Sequence, residues 1–311
     1  MNRKFTGRRV RMRTGLVVAV LTCSILLVDV SALTSQSVGA ATSPHGYWLV
    51  GSDGGIFTFG TAQFYGSTGS LHLQRPVVGI VATADDGGYW LDASDGGVFS
   101  FGDTRFYGSL PGLGIHPAGS GLPNSLDAPI VGMVPSFDDG GYFMVGSDGG
   151  VFAFGDATFE GSCPGIGGCS GSAVAVMPYQ TGRGYWLVTA NGNVYAFGDA
   201  PHLGSPGPQS SPITSGVSMR VFPPGNTVYG YWILDANGQV FNYGSALTPG
   251  QVPAGQVGGA NPATAIFTTS DDAGFWVADA EGKVFPFGDA SDEGDMSGQD
   301  LNGSIIAGTG F

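Results

Sequence analysis

Gly88-Tyr89-Trp90-Leu91, Ser94-Asp95-Gly96-Gly97, Val98-Phe99-Ser100-Phe101-Gly102-Asp103 and Arg105-Phe106-Tyr107-Gly108-Ser109 follow one another in a single stretch of the chain. Two aromatic-rich runs of strand length flank an Asp-Gly step. That step is what a tight hairpin selects, because a type I′ turn needs positive φ at both central residues. The runs around Trp90 and Phe99 are therefore read as neighbouring antiparallel strands. The step returns at Asp53-Gly54 and Asp148-Gly149, and becomes Asn191-Gly192, Asn237-Gly238 and Glu281-Gly282 elsewhere.

The whole unit occurs six times, starting at Gly46, Gly88, Gly141, Gly184, Gly230 and Gly274, with spacings of 42, 53, 43, 46 and 44 residues. Such a period belongs to propeller blades and exceeds that of most helical or leucine-rich repeats. An apolar run precedes each later copy: Val77 to Thr83, Ile130 to Ser136, Ala173 to Tyr179, Val217 to Pro223 and Ala263 to Thr269. Nearly continuous apolar runs suit strands covered on both faces, which brings the count to four short strands per unit. The first copy has no such run before it, whereas residues 305–311 form one with nothing behind it. The expected fold is all-β: a six-bladed β-propeller of four antiparallel strands per blade, the first blade closed by residues 305–311. A closed ring leaves no open terminal sheet to aggregate.

Residues 1–40 differ in kind. Arg3, Lys4, Arg8, Arg9, Arg11 and Arg13 precede an apolar run from Leu16 to Val28, and Val38-Gly39-Ala40 offers small residues for cleavage. This is the pattern of a secretory signal peptide; the apolar run is short against the roughly 20 residues that span a bilayer. The expected organisation is a signal peptide over 1–40 and one propeller domain over 41–311. The product is secreted or cell-surface associated, not inserted in the membrane after cleavage, and monomeric. Loss of the leader leaves five basic and 23 acidic residues, a formal charge of −18. Such a surface repels phosphate backbones and anionic lipid, which argues against nucleic-acid partners. Cys163 and Cys169 are the cysteines that remain, and in an exported protein they are expected to pair. Two thiolates without a neighbouring His or third Cys make an incomplete metal site.

The consensus Gly-Tyr-Trp-Leu-Val-x-Ser-Asp-Gly-Gly-Val-Phe-x-Phe-Gly-Asp-Ala-x-Phe-Tyr-Gly-Ser resembles tandem repeats of exported actinobacterial proteins, which occur alone or attached to cell-wall enzymes. The resemblance covers almost the whole mature chain. The fifth and sixth copies depart from it after Asn242-Tyr243-Gly244-Ser245 and Phe287-Gly288-Asp289. It implies propeller-like architecture and export rather than a particular activity.

Trp48, Trp90, Trp186, Trp232 and Trp276 share one motif position, with Phe143 in the remaining copy. Sugar-stacking platforms would use such rings, but free exchange with Phe favours packing between blades. Asp103, Asp156, Asp199 and Asp289 follow Phe-Gly and could serve calcium; Thr61 and Ser245 at the same position favour turn chemistry instead. Asp92-Ala93-Ser94-Asp95-Gly96 is similar to the start of a calcium loop but lacks the later acids. Glu160, Glu281 and Glu293 have no local partner of the kind acid catalysis uses, and no nucleophile elbow, phosphate loop or zinc signature is present. No cofactor is expected. The longest interruption of the repeat, Leu110 to Pro129, supplies candidate ligand-binding residues His116, Asn124 and Asp127, on the same face as the cysteine loop and Pro201 to Pro212. These features point to a secreted, non-enzymatic binding or scaffold propeller for a cell-wall glycan or another extracellular protein. The alternative is a carbohydrate-active hydrolase with acidic residues converging in a central pocket.

Overall fold

The computed structural model describes residues 45–219 and 229–311. The leader, Cys23, Arg220 and Pro223-Pro224-Gly225 lie outside them. In the first copy the Gly-Tyr-Trp and Ile-Phe-x-Phe runs form β1 (Gly46–Gly51) and β2 (Ile56–Gly60). The second copy, with the apolar run before it, gives β3 (Val77–Ala82), β4 (Gly88–Ala93) and β5 (Val98–Gly102). The third gives β6 (Ile130–Pro135), β7 (Gly141–Gly146) and β8 (Val151–Gly155), the fourth β9 (Ala173–Pro178), β10 (Gly184–Thr189) and β11 (Val194–Gly198). The fifth gives β12 (Ile213–Ser218), β13 (Gly230–Asp235) and β14 (Val240–Gly244). The last gives β15 (Ala263–Thr268), β16 (Phe275–Asp279) and β17 (Val284–Phe287), followed by β18 (Ile305–Gly310).

Among the described residues these strands make six three-stranded antiparallel sheets, each ordered inner, middle, outer. β18 is the inner strand of the first: it pairs with β1, setting Tyr47 opposite Gly310 and Trp48 opposite Thr309. The Phe311 ring then lies 5.1 Å from that of Trp48. The inner strands neighbour one another in the cycle β3, β6, β9, β12, β15, β18 and back to β3. Every inner strand carries a bulge at its second residue, namely Val78, Val131, Val174, Thr214, Thr264 and Ile306. All six are β-branched, and a bulge turns a side chain away from its ladder. The architecture is a six-bladed β-propeller.

The middle strands are buried along their whole length, and their alternate side chains fill the two flanking blade interfaces. Between the second and third blades, for example, Val81 and Trp90 meet Met133, Tyr142 and Met144. All five tryptophans are at most 1 % exposed, so they are core and cannot stack on sugar.

Three expectations need correction. The Phe-Tyr-Gly-Ser segment joins no ladder, so each blade has three strands rather than four. Side chains satisfy its backbone instead. The motif tyrosine of the next blade donates its hydroxyl to the glycine carbonyl, as Tyr89 does to Gly66 at 2.6 Å and Tyr231 to Gly204 at 2.5 Å. Tyr142, Tyr185 and Tyr47 do the same to Gly108, Gly161 and Gly294. The motif indole of the same blade donates to a carbonyl at the start of the segment, Trp48 to Gln63 at 2.7 Å and Trp90 to Arg105 at 2.9 Å. A fourth ladder would compete for these groups. The glycine is needed because Gly108 has φ 134° and a Cβ there would press on the Phe154 ring of the next blade.

The hairpin turn is not type I′. Gly96 N–H donates to Ala93 and Ala93 N–H to Gly97, closing a three-residue loop in which Gly96 alone is left-handed, at φ 78°. Asp95 keeps ordinary φ while its Oδ1 accepts the Gly97 N–H at 3.0 Å, so the acid side chain, not a left-handed backbone, is what the position selects. Finally, the fifth inner strand is Ile213–Ser218 and not the run from Val217 to Pro223. Its Thr214, Ser215 and Ser218 break the apolar signal where the strand actually lies.

Candidate functional site

Inner strands run from the face bearing the long insertions to the opposite face, so the propeller offers three concave or charged features: a groove on the loop face, the axial channel, and the turns at the channel's far mouth.

The insertion after the second blade is built as a rigid element. Leu110 is fully buried under the hairpin, its N–H bonded to Gly96, and Leu126 returns to the same core. Between them a 3-10 turn spans Pro111–Leu113 and ends on left-handed Gly114. His116 N–H donates to Asn124 and Leu126 N–H to His116, both at 2.9 Å, forming a short parallel bridge. Asn124 takes φ 56° to make that turn. The result is a groove of about 380 Å³ lined by Leu113, Ile115, Asn124, Asp127, Asp148 and Phe152, among others. Of the three residues expected to bind ligand, Asn124 and Asp127 meet in this groove. His116 does not line it and serves through its backbone.

Asp148 and Phe152 were missed by sequence reasoning. They come from the β7–β8 hairpin of the next blade, and Asp148 carries the same turn role as Asp95, accepting the Gly150 N–H at 2.9 Å. The signal was present as a turn acid next to an insertion. On the same face Cys163 and Cys169 are disulfide-bonded, their Cα atoms 5.1 Å apart. The bridge closes a second 3-10 turn, Pro164–Ile166, with Cys163 buried at the place Leu110 takes one blade earlier. Both turns present an apolar tip, Leu113 being 67 % and Ile166 58 % exposed; Leu122, in the same insertion as Leu113, is 52 % exposed.

The channel, about 320 Å³, is walled by the six inner strands and opens between Ala84, Phe137, Tyr179, Gln180 and Met219 on the opposite face. Its wall is apolar; Asp139 is the one carboxylate among the described lining residues, and its Oδ2 accepts the Ala84 N–H at 2.7 Å. A pair of carboxyls facing one another across a central pocket is therefore not found there. Glu160 sits in the third blade, Glu281 and Glu293 in the sixth, and none of them lines either cavity.

The turns around that mouth carry Asp85, Asp86, Asp138, Asp139, Asp271 and Asp272, and the ends of the outer strands add Asp103, Asp156, Asp199 and Asp289. Ser136 Oγ bridges Asp138 and Asp156, and Thr269 Oγ1 bridges Asp271 and Asp289. The Gly140 N–H, together with a hydrogen bond to Asp156, holds Asp138 below the usual carboxylate range. These acids serve the turns, and no cluster of three or more potential metal ligands exists among the described residues.

One carboxylate stands apart. Asp92, on β4, is completely buried and neither oxygen has a hydrogen-bond partner. Burial pushes it up to about 7, opposed only by its own backbone N–H. It shares a face with Trp90 and Val81, toward the third blade.

No family model matches the chain, and no curated protein matches it. Among solved structures, 593 chains match, so the architecture is widespread and does not by itself name a function. One is a β-propeller chain in the crystal structure of a nidogen/laminin complex, which is similar with a TM-score of 0.53 and 9 % identity over 86 % of this chain and 98 % of that one. At that identity the likeness establishes the fold: this chain is built as a β-propeller.

Proposed function

We propose that the protein is an exported, non-enzymatic binding propeller that holds a cell-wall glycan or another extracellular protein against its loop face. The observation that carries this reading is the insertion between Leu110 and Pro129. Leu110 and Leu126 anchor it in the blade core, while Leu113 is presented outward in the groove with Asn124, Asp127 and Asp148, and Leu122 of the same insertion is exposed as well. Ordering an insertion costs about 1–2 kcal/mol per residue in backbone entropy, and burying two leucines returns only part of that cost. Exposed apolar tips bordering polar groups are the composition of a recognition patch.

The test is binding of the purified mature protein to a glycan array and to a panel of extracellular proteins, before and after Leu113→Asp with Leu122→Asp. Both positions are solvent-exposed, so the fold is retained. Loss of binding is expected. Binding that persists in the double variant, or after replacement of residues 111–125 by a short linker, would remove the loop face from the argument.

A further inference from the structure

We propose that Asp92 makes the loop-face insertion a pH-sensitive element: with the carboxyl protonated, the segment from Leu110 to Pro129 is clamped on the seam between the second and third blades, and ionisation releases it. This is a regulation of the loop face and takes its meaning from the binding role proposed above. It is tested without any ligand, so either can fail without the other.

Asp92 is an irregularity among the repeats. At the fifth position of the middle-strand motif the other blades carry Val50, Val145, Val188, Leu234 and Ala278. In the second blade that place is taken by a carboxyl that is completely buried and has no hydrogen-bond partner on either oxygen. An ionised carboxyl buried in this way is strongly disfavoured, and packing does not call for it, because five sister blades fill the position with hydrocarbon. A group accommodated when neutral and disfavoured when charged is what a proton-operated switch contains. Its surroundings tie it to the insertion. Asp92 pairs with Gly79 of β3 and Val98 of β5. The cluster between the second and third blades contains Trp90, Val98 and the two anchors of the insertion, Leu110 and Leu126. The hairpin that directly follows Asp92 holds both ends of the insertion: Gly96 accepts the Leu110 N–H at 3.1 Å and Ser94 the Ile130 N–H at 3.0 Å. A Cβ on Gly96 would press on the Leu110 side chain, so hairpin and anchor are in close contact.

The insertion is the part of this seam that yields. On either side of it β3, β4 and β5, and β6, β7 and β8, are joined by continuous ladders, whereas the insertion is fastened by two buried leucines and a few backbone bonds. Segments with so few buried contacts open at a free energy below that of global unfolding. Lifting Leu110 and Leu126 admits water to the seam, where a carboxylate is hydrated. Burial pushes Asp92 up to about 7, opposed only by its own backbone N–H. β3, β5, β6 and β8 bring no titratable side chain to it; those on the other elements around the seam are Asp95, Tyr107, His116, Asp127, Tyr142 and Asp148, while Asp103 and Arg105 are exposed. The clamped state therefore holds the Asp92 proton more tightly than the open one, whose value lies near 3.9, and clamping weakens as pH rises between the two. From about pH 5.5 to about pH 8 the opening equilibrium grows roughly 30-fold.

The experiment is hydrogen–deuterium exchange of the mature protein at those two pH values, read by mass spectrometry and corrected for intrinsic exchange rates. Peptides covering residues 110–126, whose Ile115, His116 and Leu126 amides are hydrogen-bonded within the insertion, should lose protection roughly 30-fold at the higher pH. The cysteine loop, which packs on the next seam with Val145 in place of the acid, should keep its protection. Asp92→Val copies the sister blades and Asp92→Asn keeps the shape without the charge; in both, the insertion should be protected alike at the two pH values. The inference is overturned if the parent's insertion is equally protected at both, if the cysteine loop loses protection to the same extent, or if either variant retains the parent's pH dependence.

Discussion

Replacing Asp92 by Val should stabilise the protein, and the gain should depend on pH in a way that identifies its cause. The carboxyl is pushed up to about 7 by burial, against about 3.9 in an unfolded chain. The folded state therefore holds this proton more tightly than the unfolded one, and stability falls as pH rises between the two values. The penalty is absent well below pH ~3.9, grows through the window and levels off above pH ~7 at about 4 kcal/mol. Roughly 2–3 kcal/mol of it develops between about pH 5 and about pH 8. The groups packed on that face are apolar apart from the phenols of Tyr107 and Tyr142, which are engaged with Asp139 and Gly108 carbonyls. Among the described residues no cation offsets the charge. Urea unfolding at the two pH values, for parent and variant, reads the effect as a change in midpoint at constant slope. The variant should be more stable at both, with the difference larger at the higher pH by roughly 2–3 kcal/mol. Parallel pH profiles for the two proteins would refute the assignment of a buried, unpaired carboxyl.

Other consequences of the structure are open to direct measurement. Tyr142→Phe removes the hydroxyl that donates to Gly108 and accepts the Tyr107 N–H; leaving those backbone groups unpaired should cost about 1–3 kcal/mol in urea unfolding. Gly108→Ala should cost at least as much, because it forces φ 134° on a residue with a Cβ and presses that atom on Phe154. Cys163→Ser with Cys169→Ser should lower stability by only about 2 kcal/mol, the closed loop being short, and leave circular dichroism unchanged. Amino-terminal sequencing of protein recovered from culture medium should begin just after Ala40, as the small residues at 38–40 imply.

The repeat was legible because each copy restates one interface. Gly-Tyr-Trp marks a middle strand buried on both sides, and a type of residue that must fit two neighbours recurs wherever those neighbours recur. The outermost segment misled because Phe-Tyr-Gly-Ser has strand composition, yet its hydrogen bonds go to a phenol and an indole; no period reveals a partner that lies in the next copy. Ile213–Ser218 was misplaced for the opposite reason, being a strand whose polar residues hide it. In the groove, Asn124 and Asp127 were recognisable as residues that interrupt the pattern, whereas Asp148 kept the pattern and was brought to the site only by the blade-to-blade rotation. Asp92 was visible in the copies as the odd member of Val50, Asp92, Val145, Val188, Leu234 and Ala278. Reading it forward into Ser94-Asp95-Gly96 made it part of a loop; reading it across the copies makes it part of the core.

The pairing of β18 with β1 joins segments more than 250 residues apart in the chain. Until Ile305–Gly310 docks, β1 shows an unsatisfied edge, Trp48 lacks the Phe311 ring, and Tyr47 and Phe267 lack one wall of their shared cluster. A polypeptide interrupted anywhere upstream of Ile305 thus carries a sticky, half-built wedge, visible to any protease or chaperone that samples it. The final strand works as a latch whose engagement certifies that all six wedges have been made.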